Sequence, residues 1–214
     1  YPKSKAVCIV MVGVLAVELF ANSADTIDKI DTDVAYSKYT SYEPYMTQTR
    51  NAVSMMKEYD PSLFYRMEAT FHRTVNDPIG TGYKGISHSS STMNAPALMM
   101  LHKLGYAYGG HYTKYDGTTF MTDALFDIKY LMDKTGNTSF VGTRVKVPEE
   151  YKLTTEYTEG DATYKFYNNP NALGLGMVSS PSIEDVSLSE DNPFENQNMV
   201  FNALAGTTKE YFTK

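Results

Sequence analysis

The chain of 214 residues contains little cysteine, tryptophan or histidine, and the shortages of cysteine and histidine each exclude a class of site. A single cysteine, Cys8, excludes an internal disulfide and any metal site built from cysteines. Tryptophan is absent, and the four histidines show neither the HExxH pattern nor another metal-ligand spacing. We therefore expect no metal site, and we expect structural roles for the histidines.

Positive charge is also scarce. The chain has 19 Lys and Arg against 25 Asp and Glu, a net charge of −6, and no basic run. Because nucleic-acid binding depends on clustered Lys and Arg, this composition argues against a nucleic-acid partner.

Familiar catalytic motifs are missing as well. Ser90 does not lie in a GxSxG turn, and the glycines of GTGYKG (residues 80–85) match neither a phosphate-binding loop nor a dinucleotide-binding fingerprint. We expect no cofactor and assign no catalytic residue.

Long apolar runs are limited to the amino-terminal end. Residues 6–17 (AVCIVMVGVLAV) follow Lys3 and Lys5, and with the residues after Glu18 the segment reaches Ala21. Such a helix is about 24 Å long at ~1.5 Å per residue, short of a typical span but compatible with a thinned bilayer.

Three interpretations of this segment remain open. It has the Lys-then-apolar order of a signal peptide but no convincing cleavage site, and it could be a buried core element. We favour the end of a transmembrane helix at residues 1–22, with the two lysines on the cytoplasmic side. Residues 23–214 would then form an extracytoplasmic domain that stays folded and monodisperse without residues 1–22.

The segment 61–105 combines the most unusual features of the sequence. Residues 65–72 alternate apolar and polar side chains, as in a half-buried strand. A glycine-rich loop (80–85) and a hydroxyl-rich patch (87–92) follow. Asn94 then predicts the start of a helix that runs to about Leu104.

The other elements predict an α+β fold with a small mixed sheet, a β-hairpin and several flanking helices. Helices are expected at 48–59, after Pro44, in a short turn capped by Thr122, and from Asn192 to Gly206. Strands are expected at 128–132 and 173–178, with a hairpin formed by 151–157 and 162–167. The 18 tyrosines suit either a sugar-facing surface or an ordinary strand surface.

Polar side chains of the central strand and loop are the candidates for a ligand site. A glycan site mixes hydrogen-bonding groups with a ring for stacking. The alternative is that these groups hold the glycine loop in place. The candidate residues are Arg66, Glu68, Asn76, Asp77, Tyr83, His88, Ser90 and Asn94.

Several stretches in order resemble the extracytoplasmic segment of the bacterial YfhO family of membrane proteins. They are FYRMEATFHRTVND, GYKGISHSSSTMN and LGY, then TDALFDIKYLMD, KFYNNPNALGLGMV and NPFENQNMVFNALAG, within residues 60–206. One departure is Ser89, where an aromatic residue after His88 is expected.

The resemblance implies a polytopic membrane glycosyltransferase of the GT-C type. Such an enzyme takes a sugar from a polyprenyl-phosphate carrier to a cell-wall polymer such as lipoteichoic acid. Its catalytic carboxylate is expected in an early loop outside this chain, so this domain would bind or orient the acceptor. The alternatives are a non-enzymatic module that recruits a partner protein and, with less support, a secreted hydrolase.

Overall fold

The computed structural model describes residues 2–33, 38–136, 141–142, 145–189 and 192–213. The α-helices are α1 (Pro2–Asp33), α2 (Tyr39–Tyr59), α3 (Asp77–Thr81), α4 (Ala95–Lys103), α5 (Phe120–Leu125) and α6 (Pro193–Ala205). The strands are β1 (Arg66–Ala69), β2 (Phe71–His72), β3 (His88–Ser89), β4 (Ala107–Gly109), β5 (Tyr112–Lys114), β6 (Ile128–Thr135), β7 (Val141–Gly142), β8 (Lys152–Glu159) and β9 (Ala162–Asn168). A short 3₁₀ helix covers Pro181–Asp185.

The chain divides into a unit of residues 1–42 and a unit of residues 43–214. The first unit contains α1, in which Ser4–Ile30 has a mean hydropathy of 2.1 and none of its apolar window is buried. By length and composition this stretch can cross a membrane. The helix continues past residue 22, and the proposed division of the chain at that residue stays a prediction.

The second unit is built on a four-stranded mixed sheet with the order β1-β6-β9-β8. Strand β1 runs parallel to β6, whereas β6, β9 and β8 are antiparallel neighbours. The predicted α+β fold is therefore confirmed, including the hairpin of β8 and β9. Gly160 has a positive φ of 59° in its turn, a conformation that glycine adopts without strain.

Two apolar clusters lie on opposite faces of this sheet. Helix α2 covers one face, where Val53 and Met56 pack with Met67, Met132 and other buried residues. The second cluster contains Tyr106, Tyr115, Ile128, Leu131 and Tyr151. Met67, Glu68 and Ala69 are all buried, so β1 is buried on both sides rather than half-buried as predicted.

Helix α2 is longer than the sequence predicts because it continues through Pro44. Proline cannot donate its backbone hydrogen bond there. The next two residues, Tyr45 and Met46, are buried in the core, and this packing offsets the lost bond.

A second, three-stranded antiparallel sheet has the order β3-β5-β4. Helix α4 contacts it and begins after Asn94, whose side chain accepts from Ala97 N at 3.0 Å. Helix α6 begins after Asn192 and ends at Gly206, which has a positive φ of 64°. The predicted boundaries of both helices are confirmed to within a residue.

Three local predictions were wrong. Residues 173–178 form no strand, and several of their apolar side chains lie in solvent. The first two residues of the predicted glycine loop belong to helix α3, because Asp77 and Pro78 favour a first helical turn. Thr119 rather than Thr122 caps α5, and Thr122 is the reciprocal partner of that cap.

Candidate ligand-binding site

Glu68 holds the glycine loop from the interior of the molecule. Its side chain is 1% exposed, and Oε1 accepts from the backbone nitrogens of Ile86 and Ser87, while Oε2 accepts from the Ser87 hydroxyl at 3.3 Å. Burial raises the pKa of Glu68 to about 7, although these donors oppose the shift. A β-carbon at Gly85 would lie 2.7 Å from Glu68 Oε1, so only glycine permits this approach.

Asp77, which precedes the glycine loop, likewise accepts hydrogen bonds from inside the molecule. It is buried and accepts from the Tyr45 hydroxyl at 2.7 Å, from Arg73 N at 2.6 Å, and from the nitrogen and hydroxyl of Thr74. Each carboxylate oxygen accepts two of these bonds, so Asp77 fastens α2 and the start of α3 together.

Three further candidates form local backbone contacts. Asn76 donates to Ser89 O at 3.1 Å and accepts from Ser89 N at 2.7 Å, in the manner of a paired strand residue. Ser90 Oγ accepts from Thr92 N at 3.2 Å, and Asn94 Oδ1 caps α4 by accepting from Ala97 N. These contacts stabilise the segment that leads from the glycine loop to α4.

His88 lies in β3 opposite Thr113, and His72 ends β2. The Nδ1 atoms of both histidines are buried and have no hydrogen-bond partner in the described part of the chain. Burial lowers the pKa of His72. The structural roles expected for the histidines therefore stay a prediction, because the hydrogen bonding of both rings is incomplete among the described residues.

The remaining candidates are Arg66 and Tyr83. Arg66 Nη1 donates to Phe126 O at 2.7 Å. Tyr83 lines a cavity of about 10 Å³ together with Glu68 and Asp77. That volume corresponds to about one water molecule. The structure thus brings three of the eight candidates together, but around a space too small for a sugar.

A larger groove opens between the end of α2 and the glycine loop. Its volume is about 310 Å³, near the lower end of about 300–1,000 Å³ for small-molecule sites. Lys57 comes from the last turn of α2 and Lys84 from the glycine loop, and Tyr65 and Tyr83 also line the groove. Tyr83 is the one candidate from the sequence that lines this groove.

The charges of the groove are positive although the protein is acidic. Asp60 also lines it, but Lys129 Nζ lies 2.6 Å from Asp60 Oδ2 and neutralises this carboxylate. Burial opposes ionisation of Asp60, yet hydrogen bonds from Lys129, Ser62 and Tyr130 outweigh it and hold its pKa below the ordinary value.

The positive charges of the two groove lysines are not neutralised by a neighbouring carboxylate among the described residues. Lys84 Nζ donates to Leu63 O at 3.2 Å and lies 5.2 Å from the centre of the Phe64 ring. Within the described residues, neither Lys57 nor Lys84 forms an ion pair. Two cations next to tyrosine rings suit a ligand with phosphate groups and hydroxylated carbon units.

Sequence reasoning missed this groove because its lysines stand 27 positions apart and neither belongs to a basic run. Only the pair Tyr83-Lys84 between two glycines was a local signal. This pair contributes to a groove only because the end of α2 lies beside the loop in the folded protein.

Comparison with protein families gives one match, to a family described as bacterial membrane protein YfhO, over residues 1–214. This confirms the resemblance seen in the sequence motifs. No curated protein and no solved structure matches the chain.

Proposed function

Because this chain belongs to the YfhO family of bacterial membrane proteins, we propose that it is an extracytoplasmic part of a membrane glycosyltransferase. The enzyme would move a sugar from a polyprenyl-phosphate carrier to a cell-wall glycopolymer such as lipoteichoic acid. The domain described here would bind or orient the acceptor. The transfer chemistry would lie outside this chain, to which we assign no catalytic residue.

The groove that contains Lys57 and Lys84, which we call the lysine groove, is the main support for acceptor binding. Lipoteichoic acid is a phosphate-linked polyol, and its repeating negative charges need cations that are not already paired. Lys57 and Lys84 provide such cations beside Tyr65 and Tyr83. The long unburied apolar helix α1 supports the membrane location.

Binding of purified lipoteichoic acid by the whole chain in detergent micelles tests this role. We expect the Lys57→Ala/Lys84→Ala double variant to lose roughly tenfold in affinity, or about 1.4 kcal/mol. Added salt should weaken binding by the wild type, because the groove is open to solvent. The matched control is Lys152→Ala/Lys209→Ala, which removes the same two charges from exposed positions elsewhere. Equal affinity of both double variants would refute the groove assignment.

The extracytoplasmic side is tested through the lone cysteine. Replacing Cys8 and placing a cysteine at exposed Glu156 (Cys8→Ala/Glu156→Cys) creates a unique thiol on β8. A membrane-impermeant maleimide should label it in intact cells as strongly as in permeabilised cells. Labelling only after permeabilisation would place the domain in the cytoplasm.

One observation favours the alternative of a scaffold that recruits a partner protein. An apolar groove of about 430 Å³ is lined by Phe120, Leu173, Phe201 and Tyr211 together with other residues. Exposed apolar surface of this kind marks interaction sites. Loss of partner capture in Leu173→Asp, with polymer binding absent from the wild type, would favour this second function.

A further inference from the structure

A second cleft of about 310 Å³ lies beside the core cluster on the sheet face away from α2. The loop before α5 (residues 116–119) and Phe120 form one side, and Val145, Lys146 and Pro148 contribute the other. Asp123, one turn into α5, also lines the cleft. None of the eight residues nominated from the sequence contributes to it.

One carboxylate oxygen of Asp123 accepts no hydrogen bond from the described residues. The residue is 2% exposed, and its Oδ2 accepts from the hydroxyls of Tyr115 and Tyr151, each at 2.8 Å. Its Oδ1 is buried and has no donor among the described residues. Such an atom is rare, since buried carboxylate oxygens nearly always find partners.

The lining of the cleft is amphipathic. Phe120 is 47% exposed, and Val145 and Pro148 add apolar surface, whereas Thr118 and Thr119 add hydroxyl groups. A sugar or polyol has the same combination, with C–H faces that contact rings and hydroxyls that donate hydrogen bonds.

The charges of the cleft favour a neutral ligand over a cation. Asp116 lies 3.6 Å from Lys114 and is compensated by it. Lys146 adds a positive charge to the lining, which offsets the negative charge of the Asp123 carboxylate. In the described ranges of the chain, no group of three or more His, Cys, Asp or Glu could hold a metal ion.

We propose that this cleft binds one neutral sugar or polyol unit, with a ligand hydroxyl donating to Asp123 Oδ1 and the Phe120 ring against its C–H face. The assignment rests on the proposed glycan role for its choice of ligand, but its residues are separate from Lys57 and Lys84. It adds a site for the uncharged part of a glycan to the groove for phosphate.

Saturation-transfer NMR with the whole chain in detergent micelles tests the proposal. The probes are glucose, galactose, N-acetylglucosamine and glycerol, and choline serves as a cationic comparison. We expect transfer to the ring protons of at least one sugar and none to choline. Absence of transfer to all four polyols, or preferential transfer to choline, would overturn the assignment.

Phe120→Ala should reduce the transfer at least fivefold. The matched control is Phe194→Ala, which removes another exposed phenylalanine that also contacts Phe212 but does not line the cleft. Equal transfer in Phe120→Ala and wild type would contradict the proposal.

Asp123→Asn tests the hydroxyl contact and should weaken sugar binding severalfold. Because Asp123 also anchors two tyrosines, its thermal unfolding is measured first, and Phe120→Ala decides the question if the variant unfolds. Lys57→Ala/Lys84→Ala should keep sugar transfer while losing polymer binding. The two sites therefore succeed or fail independently.

Discussion

The glycine loop and the lysine groove are neighbours. The polar groups next to the loop are buried and hydrogen-bonded, whereas those of the groove are exposed to solvent. Next to the loop, Glu68 and Asp77 are buried, and each of their carboxylate oxygens accepts at least one hydrogen bond from backbone nitrogens or hydroxyls. In the groove, Lys57 and Lys84 are exposed, and the nearby Asp60 is neutralised by Lys129 rather than by either of them.

The comparison shows that the density of polar residues in a sequence does not identify a binding site. Saturated groups stabilise the fold because removing them strands buried donors. Groups with spare charge or spare hydrogen-bonding capacity are the ones that can bind a ligand. The following predictions separate these two roles.

The largest effect is expected from Asp77→Ala. It leaves the buried Tyr45 hydroxyl and two backbone N–H groups without their acceptor. We expect a loss of at least about 3 kcal/mol in the free energy of unfolding, measured by urea titration followed by circular dichroism. Ser90→Ala, which removes a hydroxyl paired with Thr92, is the control and should cost less than about 0.5 kcal/mol. Equal losses would mean that Asp77 has no anchoring role.

The second effect is a pH dependence of stability that arises from Glu68. Burial raises its pKa from 4.5 to about 7, so the folded state binds more protons than the unfolded state between these values. Stability therefore falls as the pH rises through this window, by on the order of 3 kcal/mol.

Glu68→Gln removes that titration and keeps the size of the side chain. The difference in free energy of unfolding between the variant and the wild type should shift in favour of the variant from about pH 5 to about pH 8. Asp123, whose pKa burial raises to about 6, and His72 titrate in both proteins, so the difference reports mainly on Glu68, whose pKa the charge of Asp123 also helps to raise. Glu156→Gln, at an exposed position, is the control and should show no such trend.

A smaller effect is expected from Gly85→Ala. Its β-carbon would lie 2.7 Å from Glu68 Oε1 and 2.9 Å from Pro78 Cγ, so the loop must move. We expect a loss of about 1–3 kcal/mol by thermal unfolding. Gly110→Ala has no neighbour within 4 Å of the new carbon and should be nearly neutral. A neutral Gly85→Ala would show that the loop does not need this close approach.

The smallest effect on stability is expected from Lys57→Ala/Lys84→Ala. Both side chains are exposed and form no ion pair within the described residues, so the free energy of unfolding should change by less than about 0.5 kcal/mol. Their effect should appear in polymer binding alone. A loss of stability comparable to that of Asp77→Ala would contradict the claim that the groove lysines do not stabilise the fold.

Local signals predicted many of the elements correctly. Asn94 and Asn192 cap the helices that they were expected to cap, and the hairpin of β8 and β9 turns at Gly160. These features depend on residues within a few positions of one another. The failures at 173–178 and Pro44 have the opposite cause, since pairing and packing partners decide whether an apolar run forms a strand or a helix passes a proline.

The candidate site was only partly accessible to sequence reasoning. Polar residues around the glycine loop were recognised, and several of them form hydrogen bonds that stabilise local structure, while their role as a ligand site stays a prediction. The lysine groove and the Asp123 cleft were missed, because each combines segments that are distant in the chain.

The sequence by itself determined the apolar amino-terminal helix, the capped helices, the hairpin and the family, because these follow from local composition and ordered motifs. Only the tertiary structure decided which polar groups are saturated and which are available. Glu68 meets Ser87 across 19 positions, Tyr45 meets Asp77 across 32, and Tyr151 meets Asp123 across 28. The hydrogen-bond partners of a group are the residues near it in space, and local sequence patterns do not predict which residues those are.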